Sequence, residues 1–168
     1  ISKGRKGGKY TSPVIVDSND PLYYLYTSGT TGKPKGIIRD HGGTAVILHN
    51  AMKYVYNAKA GDGMFCTSDI GWVLGHSFII YGPLLIGLRS VLFEGKPIGT
   101  PDAGVIGRFL KETKVILSYN VSQSLYTSPT AIRSIRKEDP HGKFIKSKDL
   151  SNLKTVTCVG ERCDIPTF

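Results

Sequence analysis

Residues 22–56 run LYYLYTSGTTGKPKGIIRDHGGTAVILHNAMKYVY and contain the pattern that decides the fold. Two short runs rich in aromatic and β-branched residues, 22–26 and 36–39, predict strands. The loop between them is rich in Thr, Ser, Gly and Lys. Residues 44–56 carry apolar side chains at a helical period, so a helix is predicted to follow the second strand.

The alternation of strand and helix continues towards the C-terminus with short connections. This order indicates α/β layering around a largely parallel sheet. Residues 141–152 are polar and are predicted to form a surface loop, while Pro83 is expected near the start of a helix or at a kink. The predicted strands cover 64–67, 90–93, 115–118 and 153–159, and the predicted helices cover 77–88 and 103–113. Residues 124–137 are predicted to be helical after Pro129.

The composition fits one domain with an apolar core. The 168 residues include 22 Lys and Arg against 13 Asp and Glu, which gives a formal net charge of +9. The basic residues cluster in the first ten positions and between Arg133 and Lys148. Neither cluster interleaves aromatic with basic side chains, as a base-stacking surface does, so nucleic acid is not expected as the main partner.

The cysteines and the apolar runs of the sequence predict the cellular compartment and whether the chain crosses a membrane. Cys66, Cys158 and Cys163 form neither a CxxC pair nor a metal-ligand spacing, which favours a reducing intracellular compartment and predicts no metal site. We expect the cytoplasm, with mitochondria left open. The longest apolar run, residues 78–88, is interrupted by glycine and proline, so no membrane span is expected. Residues 1–19 are expected to be a flexible lead-in.

The loop in residues 26–36, YTSGTTGKPKG, holds the residue types that bind a triphosphate. Its glycines let backbone N–H groups approach a ligand closely, and its hydroxyls are further donors. Lys33 and Lys35 add positive charge. The spacing fits neither GxxxxGK[ST] nor GxGxxG, which argues against a P-loop NTPase and a dinucleotide-binding dehydrogenase. From composition alone, a surface turn rich in Gly, Ser and Thr stays an open alternative.

This loop closely resembles the phosphate-loop signature of the adenylate-forming enzymes, which include the acyl-CoA synthetases. Further segments, similar to the acetyl- and propionyl-CoA synthetase branch, follow in the expected order. The resemblance covers nearly all of residues 20–168 and implies a layered αβα fold with a mostly parallel sheet, part of the large N-terminal domain of an acyl-CoA synthetase. The segments are 68–77 (SDIGWVLGHS), 81–84 (YGPL), 94–97 (EGKP), 100–104 (TPDAG), 127–133 (TSPTAIR), 136–140 (RKEDP) and 160–164 (GERCD).

The resemblance implies a reaction in two halves. ATP activates a short carboxylate to an acyl-adenylate, and coenzyme A then displaces AMP to form a thioester. ATP with Mg²⁺, acetate or propionate, and coenzyme A are thus the implied ligands. The loop is implied to hold the β- and γ-phosphates, with Lys35 as its catalytic residue. The other implied phosphate ligands are Thr27, Ser28, Gly29, Thr30, Thr31, Gly32 and Lys33.

The resemblance also assigns an acyl pocket. Trp72, Val73 and Leu74 would line it, with the indole as a floor that limits the acid to few carbons, and Val159 would border it. Acetyl-specific relatives tend to have Thr at the place of Leu74, so propionate, or a mixture with acetate, is implied. Without the resemblance, the preferred interpretation of Trp72 is an ordinary core aromatic residue.

Gly160, Glu161 and Arg162 form the implied nucleotide turn, which would face adenine and ribose. Many relatives carry Pro at the place of Arg162, and the short-chain branch accepts Arg. Residues 20–168 are expected to be a partial AMP-binding domain that lacks its N-terminal part, later core motifs and the C-terminal lid domain. Alone, this stretch is expected to be inactive. Another adenylate-forming ligase, or a nucleotide-binding fragment without activity, stays open.

Overall fold

The structure is a computed structural model that describes residues 11–28, 32–95, 102–108, 110, 123–146 and 148–167. The chain consists of two compact units, Ile1–Thr44 and Ala45–Phe168. Residues 11–17 have no regular secondary structure and are exposed, whereas residues 1–10 of the predicted lead-in lie outside the described part. Its flexibility stays a prediction.

The first unit contains an antiparallel pair of strands, β1 (Pro21–Thr27) and β2 (Lys35–Asp40). Both strands were predicted. They form a two-stranded sheet of their own and are not part of the parallel sheet. Their connection, residues 28–34, is too short for the crossover of about a dozen residues that a parallel pair requires.

A helix follows β2 directly. Asp40 ends the strand, and its Oδ1 accepts from the backbone N of Gly43 at 2.5 Å, which caps α1 (His41–Asn50). The helix continues as a π-helical turn over Ala51–Val55. The predicted helix at 44–56 is therefore confirmed, although it begins earlier because the cap sits at the strand end.

A parallel sheet is the centre of the second unit. In the described part of the chain its strands are β3 (Gly63–Cys66), β4 (Arg89–Val91), β5 (Gln123–Thr127) and β6 (Leu153–Cys158). Their order is β4-β3-β5-β6, and every neighbouring pair is parallel. This arrangement confirms the predicted α/β fold with a mostly parallel sheet.

Alternating side chains of the central strands divide the core into two clusters. Met64 and Cys66 of β3 pack in one cluster with Tyr126 of β5, while Phe65 and Leu125 pack in the other. Residues of the π-helical turns cover the first cluster, and Val105, Ile106 and Leu110 cover the second. Because both faces of the sheet carry an apolar layer, the unit has the αβα layering that buried parallel sheets require.

The helix after β3 begins earlier than predicted. It consists of α2 (Val73–Gly75), a π-helical turn (His76–Tyr81) and α3 (Gly82–Leu85), whereas the sequence predicted 77–88. Pro83 lies in the first turn of α3, directly after the π-helical turn, as the expectation of a start or kink required. None of the helices that the structure describes is long and apolar enough to cross a membrane.

The helix predicted after Pro129 within 124–137 is confirmed as α4 (Pro129–Glu138), while the residues before the proline form β5, a strand that was not predicted. The predicted loop at 141–152 contains a short helix, α5 (Lys143–Lys146). The predicted strand at 115–118 lies outside the described residues. Within the predicted helix at 103–113, residues 105–108 and 110 are helical, and residues 109 and 111–113 lie outside the described part.

Candidate functional site

The strand pair of the first unit holds the two ends of the predicted phosphate loop opposite each other. Thr27, the last residue of β1, pairs with Lys35, the first residue of β2. Thr27, Ser28, Lys33 and Lys35 are all exposed. Hydroxyl and ammonium groups at the base of this loop are therefore open to a ligand.

The tip of this loop is only partly described. Gly32 has a φ of +81°, in the left-handed region. Gly29, Thr30 and Thr31 lie outside the described residues, so their predicted contacts with phosphate stay predictions.

A small cavity lies in the second unit, at the carboxyl ends of β3, β5 and β6. Its volume is about 200 Å³. Ligands of open α/β sheets bind at this end of the strands. The lining residues are Thr67, Ser68, Leu74, Tyr126, Thr127, Ser128, Val159 and Gly160.

Hydrogen bonds fix the strand ends that form this cavity. Oγ1 of Thr67 donates to Oγ1 of Thr127 at 2.9 Å, and the backbone N of Thr67 donates to the carbonyl of Tyr126 at 2.9 Å. The backbone N of Val159 donates to the carbonyl of Thr127 at 3.1 Å. The polar groups between the strands are thereby paired, which leaves a rigid floor.

An aromatic cluster backs the cavity. The ring of Tyr126 stacks on Phe78 with centroids 4.6 Å apart, and Tyr56 lies 5.6 Å from Phe78 and 6.0 Å from Tyr126. Burial raises the pKa of Tyr56 and of Tyr126, so both phenols are neutral around pH 7. This wall therefore presents uncharged aromatic surface.

The helix start beside the cavity packs closely on the segment after β3. A Cβ on Gly75 would lie 2.3 Å from the carbonyl oxygen of Asp69 and 2.5 Å from Cα of Ile70. Only glycine permits this approach. Leu74, one residue earlier, is held against the first core cluster and the cavity.

A larger cavity, of about 350 Å³, shares Thr67 and Ser68 with the first one. It lies nearer the carboxyl ends of β3 and β4, and its other lining residues include Asp69, Phe93 and Ile106. Of the described residues, none that was predicted for the acyl pocket lines this larger cavity.

The predicted acyl-pocket residues fall into two groups. Leu74 and Val159 come together at the small cavity. Trp72 is 68% exposed and Val73 is half-buried, and neither lines a described cavity. Trp72 has an extended backbone and precedes α2, where its carbonyl accepts from the backbone N of His76 at 3.0 Å. Its role as pocket floor stays a prediction.

The predicted nucleotide turn follows β6. Gly160 lines the small cavity and has a φ of +91°, a conformation that side chains with a Cβ rarely adopt. A Cβ there would meet nothing within 4 Å, so the backbone conformation, and not space, favours glycine. Arg162 is exposed.

Glu161 is fastened to the first turns of α4. Its Oε1 accepts from the backbone N of Thr130 at 2.8 Å and from the Thr130 hydroxyl. Its Oε2 accepts from Nη2 of Arg133 at 2.6 Å, and Nη1 of the same arginine donates to Oδ1 of Asp164 at 2.9 Å. One arginine thus bridges two acids of the turn.

These contacts shift the ionisation of all three charged groups. The Thr130 hydroxyl, and then Arg133, lower the pKa of Glu161. The Thr167 hydroxyl, 2.5 Å from Oδ1, and then Arg133 lower the pKa of Asp164. The hydrogen bond with Glu161 raises the pKa of Arg133. The cluster is therefore fully ionised at neutral pH.

Sequence reasoning gave no role to several residues of these sites. Thr130 and Arg133 lie in the quoted segment 127–133, and Tyr126 directly precedes it. Segments 127–133 and 160–164 both resemble the family, which singles out both partners. Spacing along the chain, however, does not pair Arg133 with Glu161. In the described ranges, no group of three or more His, Cys, Asp or Glu side chains could hold a metal ion.

The fold is that of an α/β protein with a parallel sheet. A small cavity and a turn held by hydrogen bonds lie at the carboxyl ends of its strands, where such proteins bind ligands. The family model for AMP-binding enzymes matches residues 2–167. The chain belongs to the AMP-binding enzyme family.

Three relatives illustrate where this chain stands in the family. It is 52% identical over 155 residues to an uncharacterized protein of Pseudomonas aeruginosa and, over the same number, 52% identical to human acyl-CoA synthetase short-chain family member 3, mitochondrial. It is 45% identical over 152 residues to propionate–CoA ligase of Salmonella typhimurium. The alignments cover 92%, 92% and 90% of this chain, but only 24%, 22% and 23% of the relatives. The chain thus spans less than a quarter of their length.

Proposed function

We propose that this chain is a segment of a short-chain acyl-CoA synthetase, an AMP-forming acid–thiol ligase that activates acetate or propionate. The observation that carries the proposal is the meeting of Leu74, Val159 and Gly160 at one small cavity. These residues come from two segments, far apart in sequence, that were assigned to the acyl pocket and the nucleotide turn. The names of two relatives, an acyl-CoA synthetase and a propionate–CoA ligase, support the same chemistry.

In this proposal residues 20–168 are a partial adenylation domain, and the activity belongs to the whole enzyme that contains them. The first unit contributes the phosphate loop. The second contributes the cavity and the nucleotide turn. Each role is assigned to residues of this chain, and groups elsewhere in the enzyme complete the reaction.

The first half-reaction joins the acid to AMP. A carboxylate oxygen attacks the α-phosphorus of ATP, the bond to the bridging oxygen breaks, and pyrophosphate leaves. Exposed donors at Thr27, Ser28 and Lys33 bind the β- and γ-phosphate oxygens, and the ammonium of Lys35 offsets the charge that develops on the leaving group. Mg²⁺ arrives as the magnesium complex of ATP and is part of the substrate. The thiol of coenzyme A then attacks the acyl carbon and releases AMP.

The cavity favours a small acid. Its volume of about 200 Å³ lies below the range of about 300–1,000 Å³ typical of sites for larger ligands. Leu74 and Val159 contribute aliphatic surface, and Tyr126 contributes a neutral aromatic face. A chain of two or three carbons matches this size and polarity. The larger cavity holds none of the matched acyl-pocket residues, so the smaller one is assigned to the acyl group.

The test is a substrate panel on the full-length enzyme. Pyrophosphate release is measured with acetate, propionate, butyrate and octanoate, and thioester formation is measured with coenzyme A. We expect turnover with acetate and propionate and little with octanoate. Absence of carboxylate-dependent pyrophosphate release would contradict the proposal. Adenylate formation with transfer only to a carrier protein would identify a different adenylate-forming ligase.

A further inference from the structure

The ion-pair cluster between α4 and the nucleotide turn has a role that the matched motifs do not state. We propose that Arg133 is a positioning residue for the nucleotide, which acts by holding Glu161 and Asp164 and thereby fixes the backbone of the turn. The inference rests on the proposed function, since it takes the ligand of this turn to be ATP.

The geometry of Arg133 supports a positioning role. Its Nη1 reaches Asp164 at 2.9 Å and its Nη2 reaches Glu161 at 2.6 Å, with a further contact from Nη2 to the hydroxyl of Thr130 at 3.1 Å. The planar guanidinium therefore spans both ends of residues 161–164. A point-like ammonium cannot make these contacts at once.

The carboxylate of Glu161 is already occupied. Oε1 accepts from the backbone N and the hydroxyl of Thr130, and Oε2 accepts from Arg133. A carboxylate engaged through both oxygens in this way has little capacity left for a ligand. Glu161 therefore serves the nucleotide through the conformation of the turn.

The start of α4 explains why the turn is fastened at this point. Pro129 has no N–H, and the hydroxyl of Ser128 accepts from the backbone N of Ala131 at 3.2 Å. The N–H of Thr130 lies between these two and finds its acceptor in Glu161. The anionic carboxylate also interacts favourably with the helix N-terminus. The helix thus supplies a support for the turn that follows β6.

The cluster's effect on binding is separable from its effect on folding. The side chains of Arg133 and Glu161 are 40% and 38% exposed, and ion pairs at such positions contribute little to global stability. A second pair, Arg108 with Asp102 at 2.8 Å, has similar exposures of 31% and 38% and shares no residue with the turn. Arg108→Ala is therefore a matched control.

The experiment uses the full-length enzyme and two readouts. ATP affinity is measured by calorimetric titration without acid, and KM and kcat are measured by pyrophosphate release. For Arg133→Ala we expect ATP affinity to fall and KM for ATP to rise about tenfold, the size expected for lost hydrogen bonds between charged groups. KM for the carboxylate and the melting temperature should stay near wild-type values. Arg133→Lys should lie between the two, and Arg108→Ala should bind ATP normally.

A double variant checks the pathway of the effect. If Arg133 acts through Glu161, then Arg133→Ala combined with Glu161→Ala should weaken ATP binding no more than the stronger single variant. Additive losses would overturn the inference, as would unchanged ATP affinity in Arg133→Ala or an equal loss in Arg108→Ala. If the wild-type enzyme binds ATP but turns over no carboxylate, the proposed acid fails, while the binding data still decide on Arg133.

Discussion

Thr27 and Lys35 lie directly opposite each other in the antiparallel pair of β1 and β2. The pairing places a hydroxyl and an ammonium at the base of the predicted phosphate loop, held by backbone hydrogen bonds of both strands. The strand pairing thus keeps the two ends of the loop together.

Removal of the Lys35 charge should impair adenylation. We expect Lys35→Ala to lower kcat for pyrophosphate release about 100-fold, because it loses a preorganised charge at the leaving group. Steady-state kinetics of the full-length enzyme measure the effect. Lys53→Ala, a change at an exposed lysine of the first π-helical turn, is the control and should behave as wild type. Equal kinetics for both variants would remove Lys35 from the mechanism.

Leu74 should control the choice of acid. Leu74→Thr replaces aliphatic surface in the small cavity with a shorter, polar side chain, so we expect kcat/KM for propionate relative to acetate to fall about tenfold. Competition between the two acids measures the ratio. Val159 lines the same cavity from a distant segment of the chain, so Val159→Ala is tested beside it. If neither variant alters the ratio, the cavity is not the acyl site.

Gly160 should be required for its backbone conformation. Gly160→Ala places a Cβ at a φ of +91°, which costs about 1–2 kcal/mol of local strain, and we expect weaker ATP binding as the turn relaxes. The control is Gly107→Ala, where a Cβ would meet its nearest atom at an ordinary 3.6 Å and where no positive φ occurs. Normal ATP affinity in Gly160→Ala would show that the turn tolerates the change.

Acid should release the nucleotide turn. The Thr130 hydroxyl, followed by Arg133, lowers the pKa of Glu161 from its usual 4.5. The stabilising contribution of this carboxylate is therefore fully present above pH 4.5, and it is lost as pH falls through the lower pKa of the folded state. Amide exchange at Thr130, corrected for intrinsic rates, should show protection that fades over this range and is already reduced in Glu161→Gln. Glu138→Gln, on the same helix, is the control.

Asp139 should stabilise α5. Its buried carboxylate accepts from the backbone N of Lys143 at 2.8 Å and of Phe144 at 2.9 Å. We expect Asp139→Ala to destabilise this segment by about 1–2 kcal/mol, and Asp139→Asn by less because it keeps one acceptor oxygen. Amide exchange of residues 143–146 measures the loss. Unchanged protection in Asp139→Ala would contradict the assignment.

The strands that sequence predicted correctly are those whose own residues determine them. β3, β4 and β6 are short runs bounded by polar or glycine residues, and each was placed within one or two positions. β5 was not predicted as a strand, and its residues directly precede the helix that was predicted after Pro129. Its strand form depends on β3 and β6 on either side, and local sequence does not contain that information.

The same distinction holds for the candidate site. Matched segments predicted Leu74, Val159 and Gly160, and the fold brings them together. The link from Arg133 to Glu161 joins residues far apart in the chain, and its geometry appears only when α4 and β6 are adjacent. Trp72 was assigned to the pocket by its position in a motif, yet its side chain is largely exposed. The compartment stays a prediction.

The contact between Gly75 and Asp69 has a consequence for the proposed acyl site. A Cβ on Gly75 would overlap the carbonyl oxygen of Asp69, so the segment after β3 packs tightly against the start of α2. If the cavity is the acyl site as proposed, an outward shift of Leu74 would also have to displace the segment of Asp69 and Ile70. Under the proposed function, we therefore expect the preferred length of the acid to change through substitutions of single cavity side chains such as Leu74.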